Sequence, residues 1–345
     1  MIQVPTLRGF GTVALRPTTE IHTFEFVDVI GTARGAVRHP RRRKLAPQKP
    51  QSPATTGELP VYDIFDPRHL TLKNLDWTVL VWMVGIHVGA VAALFFFSWQ
   101  AVAVAAVLHW LTCSIGICLG YHRFLSHKSL KLRTPARWFV TLCGVLSGEG
   151  SPLKWSATHR VHHARSDHYG DPHSPNDGTW WSHIEWLFIR QDAAACNALY
   201  QRYCPDLLKD KVLVHFEKTY GLWLIASGFV LFAIGGWPFL LWGLCARMCF
   251  AYHSTWFVNS ATHIWGYRNY DTDDRSRNLW WVALLAYGEG WHNNHHAHPR
   301  LARAGHKWWE IDMTFYAIRA LQLVGLAYEV DDRKPVGRAA APADA

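Results

Sequence analysis

The chain has 345 residues, a formal charge of +9 and a half-hydrophobic composition, with 21 histidines and 19 tryptophans. Its apolar residues gather in a few long runs, which argues against a soluble globule and for a membrane protein with a polar part. No nucleic-acid motif accompanies the basic charge. None of the seven cysteines forms a C-x-x-C pair, so neither nucleic-acid binding nor a disulfide framework is expected.

Residues 1–60 lack a sustained apolar period and include Arg41-Arg42-Arg43-Lys44 followed by Pro47, Pro50 and Pro53. This segment reads as a disordered basic arm. A transit peptide is the other reading, but Glu20, Glu25 and Asp28 argue against it. Residues 61–330 form the expected membrane domain, and 331–345 a disordered tail.

Four apolar runs approach spanning length: Trp77 to Trp99, Ala101 to Gly120, Leu222 to Gly235, and Phe239 to Val258. Trp237-Pro238 is expected to make the bend between the third and fourth. Trp138 to Leu146 and Trp280 to Tyr287 are too short to span, and the former suits an interfacial or re-entrant helix. The connection between the first two runs carries no charge, whereas residues 121–219 carry thirteen Lys and Arg. The positive-inside rule then places both termini and the 121–219 segment in the cytoplasm. The predicted fold is all-α and integral to the membrane: four spans in two hairpins, each followed by a cytosolic helical segment. Such a chain is expected in a bacterial-type inner membrane.

Three histidine clusters follow these spans: His122-Arg-Phe-Leu-Ser-His127, His159-Arg-Val-His162-His163 and His292-Asn-Asn-His295-His296. Residues three and four apart share a helix face, so each H-x-x-H-H cluster is expected to aim at one point. His122 and His127 lie five apart, about 140° on an α-helical wheel, and converge only if the helix ends or bends between them. An even number of crossings separates the third cluster from the others, so all three face one side. So many imidazoles exceed the needs of one tetrahedral zinc and suit two metal ions. Composition does not choose iron over copper.

The three clusters resemble the histidine boxes of the membrane fatty acid desaturase family. Asn259-Ser-Ala-Thr-His263-Ile-Trp-Gly-Tyr-Arg268, Asp171-Pro172-His173, Trp181-Ser182-His183 and Gly290-Trp291 are similar to its acyl-CoA desaturase branch. Trp308-Trp309-Glu310-Ile-Asp312 looks closer to bacterial and cyanobacterial delta-9 members. The resemblance covers roughly residues 70 to 328. It implies two iron ions under a cytosolic cap, held by His122, His127, His159, His162, His163, His263, His292, His295 and His296, with Asn259 binding through water. Asp167, Asp171 and Glu289 are candidate partners that fix imidazole tautomers. Trp155, Thr255 and Trp256 match positions that shape a kinked acyl tunnel. His109, His173, His183, His253, His298 and His306 are left as structural or supporting residues.

The implied reaction is insertion of a cis double bond, most simply delta-9, into a long saturated acyl chain with O2 and two electrons. No fused electron donor is visible, so a separate ferredoxin or b-type cytochrome is implied. Ala157-Thr158 stands where the animal enzymes carry an Arg-Asp pair that holds CoA. The carrier is therefore expected to be an acyl lipid rather than acyl-CoA. The competing readings are a di-iron hydroxylase or ketolase of hydrocarbons or carotenoids, and a membrane metal-binding or transport protein. Transport favours polar residues at mid-membrane, where Arg247 is the exception in these runs.

Overall fold

The computed structural model describes residues 61–336. The expected N-terminal arm, and the end of the expected tail from 337 onward, lie outside the described residues. The described chain is mostly helical. Apart from isolated bridges, its extended structure is one antiparallel ribbon, β1 (Lys131–Leu132) with β2 (Ala327–Tyr328). The ribbon ties the C-terminal segment to the loop after the first histidine cluster.

Helix α1 (Trp77–Ala93) starts on an Asp76 cap, whose side chain accepts from the Val79 amide at 3.1 Å. Ser98 caps α2 (Trp99–His109), accepting from the Ala101 amide. α2 runs without interruption into a π-helix, Trp110–Ser126, giving one apolar helix of 28 residues. α3 (Thr134–Val145) packs along that π segment. A side chain at Gly116 would run into the Cys143 backbone, so the close approach of these two helices needs glycine there. The short Trp138–Leu146 run is thus a helix laid against the Trp99–Ser126 helix.

The other long apolar region is Lys211–Ile264. It comprises α7 (Lys211–Leu240), a π-wound turn (Leu241–Ala246), α8 (Arg247–Asn259) and α9 (Ala261–Ile264). α7 is broken at Gly235 and Gly236, the latter at φ 61° and ψ −152°, a region open essentially to glycine alone. The bend therefore sits two residues before the expected Trp237-Pro238. Pro238 opens the returning helix, where its missing amide hydrogen costs nothing. Leu231 against Gly243, and Gly228 beside Leu244, show the two arms folded back on each other. Arg247 is buried, yet its guanidinium is met by oxygens: Gly243 O, Thr112 Oγ1, and Leu146 O and Ser147 O just beyond α3. That pairing makes it a tie between helices.

The remaining α-helices are α4 (Pro152–Arg165), α5 (Thr179–His183), α6 (Ala193–Tyr203), α10 (Trp280–Leu285), α11 (His292–Ala297) and α12 (Met313–Leu323). α10 occupies the other short apolar run, as a helix too short to span.

Gly116→Ala should force α3 off the π segment. Overpacking of this kind costs about 1–3 kcal/mol, and should appear as a lower thermal unfolding midpoint in detergent, while Gly85→Ala, which meets open space, leaves it unchanged.

Candidate metal centre

The first histidine pair converges through the winding of its helix. In a π-helix the backbone bonds run from i+5 to i, and the His127 amide donates to His122 O at 3.1 Å. The helix ends there, with His127 as its C-cap, and the two rings lie 4.8 Å apart. An α-helix would have sent them about 140° apart.

The nine histidines sort into two groups: His122, His127, His159, His163 and His295, and His162, His263, His292 and His296. Within each group the ligand atoms lie within 4.8 Å of one another. The two H-x-x-H-H clusters divide reciprocally. On α4 the i, i+4 pair His159 and His163 joins the first group and His162 turns to the second. On α11 the i, i+4 pair His292 and His296 joins the second group and His295 turns to the first. The expectation that each cluster aims at one point is therefore corrected. Consecutive helical residues diverge by about 100°, so H-H at the end of each motif serves two points.

The Nε2 atoms face inward. His127 and His159 approach at 2.7 Å, His163 and His295 at 2.9 Å, His122 and His295 at 3.0 Å, His263 and His292 at 3.0 Å, and His162 and His296 at 3.3 Å. Carboxylates lie behind four of these rings. Nδ1 of His162 sits 2.9 Å from Asp171, that of His263 2.8 Å from Asp167, and that of His296 2.6 Å from Asp274. Nδ1 of His122 lies 2.8 Å from Glu289. An imidazole that donates from Nδ1 presents a bare lone pair at Nε2. Burial pushes His127, His159, His163, His292 and His295 well below the ordinary histidine range, so they are neutral donors. His162 is the exception: burial opposes its charge, but Asp171, then Asp167 and Asp274, raise it. At His162 and His296, where carboxylates hold both ring hydrogens on Nδ1, two lone pairs meet at 3.3 Å and repel unless a cation lies between them. The donor set thus fits two metal ions, and imidazole nitrogen suits iron.

The supporting carboxylates stay charged. Burial works against Asp171, Asp274 and Glu289, but the neighbouring imidazoles, the Arg123 guanidinium and hydrogen bonds hold all three well below the usual range. Asp274 was missed by the sequence reading. It also accepts from Ser276 and Thr272, and the signal available was the acidic run Asp271-Thr-Asp-Asp274 shortly after His263. Arg123, beside His122, was missed as well. It is buried and donates to Glu289, Asp312 and Ala302 O, so one guanidinium steadies the carboxylate behind His122 and the cap of α12. Asn293 and Asn294 turn away from the inward-facing imidazoles. Asn294 bonds Asn278, Ala304 O and Glu310, and Asn293 accepts from the amides of Asn269 and Tyr270, which locks the roll of α11.

A cavity of about 540 Å³ leads to His159 and His173 from between α1, α4, α7 and α8. Trp155, Thr255, Trp256 and Asn259 all line it. Its one acidic wall residue is Glu149. Thr255 donates to it at 2.9 Å, and burial pushes its carboxyl up to about 7. Of the other histidines, His109 bonds Tyr287 OH and His306 bonds Tyr270 OH, while His173 packs on the His162 ring.

The fatty acid desaturase family model matches residues 97–329. The chain is 44% identical over 265 residues to the sn-2 palmitoyl-lipid 9-desaturase of Nostoc sp. (strain 36), covering 76% of this chain and 93% of that one. It is 45% identical over 256 residues to the sn-1 stearoyl-lipid 9-desaturase of Synechocystis sp., covering 74% and 80%. It is 41% identical over 246 residues to an acyl-CoA 5-desaturase of Anemone leveillei, covering 71% and 76%.

Replacing the carboxylate behind a ligand while keeping its shape isolates its effect. Asp274→Asn should lower metal affinity of the second group about 10- to 100-fold, read by competition with an iron(II) chelator. Asp271→Asn should leave it unchanged.

Proposed function

The chain belongs to the fatty acid desaturase family, and we propose that its two histidine groups hold two iron ions beside an apolar cavity that carries the acyl chain. It is an O2-dependent oxidoreductase that makes a delta-9 double bond in a fatty acyl chain, as the names of its relatives support. The observation that carries the site assignment is the convergence of two sets of imidazole Nε2 atoms, with His159 of the first set lining that cavity.

When bound, iron supplies the O2 chemistry that removes two hydrogens from neighbouring methylenes. The protein's own residues do the rest. His122, His127, His159, His163 and His295 would hold one ion, and His162, His263, His292 and His296 the other. Asn259, on the cavity wall four residues before His263, would reach the second ion through water. Asp167, Asp171 and Asp274 keep the ring protons of His263, His162 and His296 on Nδ1, and Glu289 lies beside Nδ1 of His122. Trp155, Tyr252 and Trp256 give the cavity a rigid aromatic wall, which orients an alkyl chain and excludes water. The acyl carrier in this reading is a lipid. Ala157 is packed in the core and Thr158 faces the cavity, so neither offers charge to a CoA phosphate. A separate ferredoxin or b-type cytochrome would deliver the electrons.

The membrane arrangement in this reading has four spans: α1, the helix from Trp99 to Ser126, and the two arms on either side of Gly235–Gly236. α1 exposes Val81, Val84, Val88 and Val91, and α7 exposes Ile225, Phe229 and Ile234, side chains suited to lipid. Trp77, Trp99 and Trp237 stand exposed at span ends, as interfacial tryptophans do. The histidine centre then faces the cytoplasm, with both termini on that side.

Expression in a host without desaturases should yield cis-delta-9 fatty acids on methyl-ester profiling. His162→Ala and His295→Ala should each abolish that product while the protein stays in the membrane, and full activity in both ends the metal assignment. Purified enzyme with its reductant should turn over labelled phospholipid or glycolipid. Turnover of labelled stearoyl-CoA alone would refute the lipid carrier and leave the desaturase intact. Tags at residue 1, within 195–215 and at residue 345 should report cytoplasm, and a tag at Gly235–Gly236 the opposite side.

A further inference from the structure

Apart from the nine-histidine centre, the spans themselves carry a compact donor cluster. His87 on α1 meets Cys249 and His253 on α8, with the three ligand atoms within 4.8 Å of one another. Cys249 and His253 are four apart and share a face. The approach of α1 to this face depends on Gly89, where a Cβ would lie 2.5 Å from Cys245 Sγ.

The hydrogen bonds around the cluster determine its proton count. His87 Nδ1 lies 2.7 Å from Met83 O, and a carbonyl only accepts, so the ring hydrogen is on Nδ1 and Nε2 is bare. From the other side, Ser260 Oγ donates its single hydrogen to Trp256 O at 2.8 Å. It must therefore accept from His183 Nδ1, 3.0 Å away. His183 Nε2 is then a lone pair, and takes its hydrogen from His253 Nδ1 at 3.1 Å. That leaves His253 Nε2 bare as well. It faces His87 Nε2 at 3.2 Å. Both ends of the chain are pinned by carbonyl oxygens, so two lone pairs point at each other with a thiol alongside.

We propose that His87, His253 and Cys249 form a binding site for one soft transition-metal ion, Cu(I) by preference, separate from the iron centre. Two imidazoles and a thiolate are a soft, three-coordinate donor set of two nitrogens and one sulfur. The setting is a membrane span, where net charge is costly. A thiolate with a monovalent ion and two neutral imidazoles sums to zero. Zinc would leave one positive charge and an unfilled fourth position. Binding releases the Cys249 thiol proton to the buffer and changes no oxidation state. The bound ion clips α1 to α8, two of the four helices that wall the acyl cavity.

The test uses the full-length, iron-loaded protein in detergent, titrated anaerobically with Cu(I) against a competing Cu(I) chelator. Wild type should retain one copper per chain with unchanged iron, and its copper-edge X-ray absorption should show nitrogen and sulfur scatterers. Cys249→Ser and His87→Gln should each lose that copper while keeping their iron, which also shows that they fold. Three results overturn the proposal: no copper retained by wild type, equal retention in both variants, or copper uptake matched by loss of iron.

Discussion

Mutual repulsion among imidazole lone pairs is the constraint from which the rest of this protein follows. Nine Nε2 atoms are turned inward, each within hydrogen-bond distance of another, and at His162 and His296, whose ring hydrogens are held on Nδ1, two lone pairs meet at 3.3 Å. Four of the nine rings are clamped from behind by carboxylates, and each carboxylate needs its own compensation once buried. Glu289 is compensated by Arg123, Asp167 by the Arg275 amide, Asp171 by the Asp167 and His173 amides, and Asp274 by Ser276 and Thr272. A buried, hydrogen-bonded shell of this kind loses more than one contact when a member is removed, because the partner is left charged and unpaired.

The two groups are not buttressed alike. Three carboxylates stand behind the four-histidine group and one behind the five-histidine group. A ligand that donates to a carboxylate is a stronger base toward the metal. The second group therefore offers fewer but more electron-rich donors. Two ions of the same element would experience different fields a short distance apart, although both arise from the same pair of motifs.

Much of this was legible in the residues. The histidine clusters stood out by spacing, and their common side followed from counting apolar runs. Asp167, Asp171 and Glu289 were nominated by proximity in sequence to the ligands. Other features were not legible for definite reasons. Asp274 serves His296 across 22 positions, a pairing that its acidic run does not specify, and Arg123 reaches Glu289 across 166, a separation that no local pattern reports. The division of each H-x-x-H-H between two groups depends on how α4 and α11 face each other, which is a tertiary fact. The bend at Gly235–Gly236 was displaced to Trp237-Pro238 because proline is the louder breaker in sequence, whereas the φ of 61° at Gly236 is a demand only glycine meets.

The π winding of Trp110–Ser126 makes helix length a chemical variable. Each residue of an ordinary hydrophobic span can be exchanged for another, and the span itself can be lengthened or shortened, at modest cost. Here the turn is widened so that residues five apart share a face, and the chain spends more residues per turn than the membrane thickness requires. Removing one residue upstream of His122 at unchanged winding would swing that imidazole about a quarter turn away from the other inward-facing rings. The Trp99–Ser126 helix is therefore a measured spacer that sets the position of His122, and substitutions are open to it in a way that insertions and deletions are not.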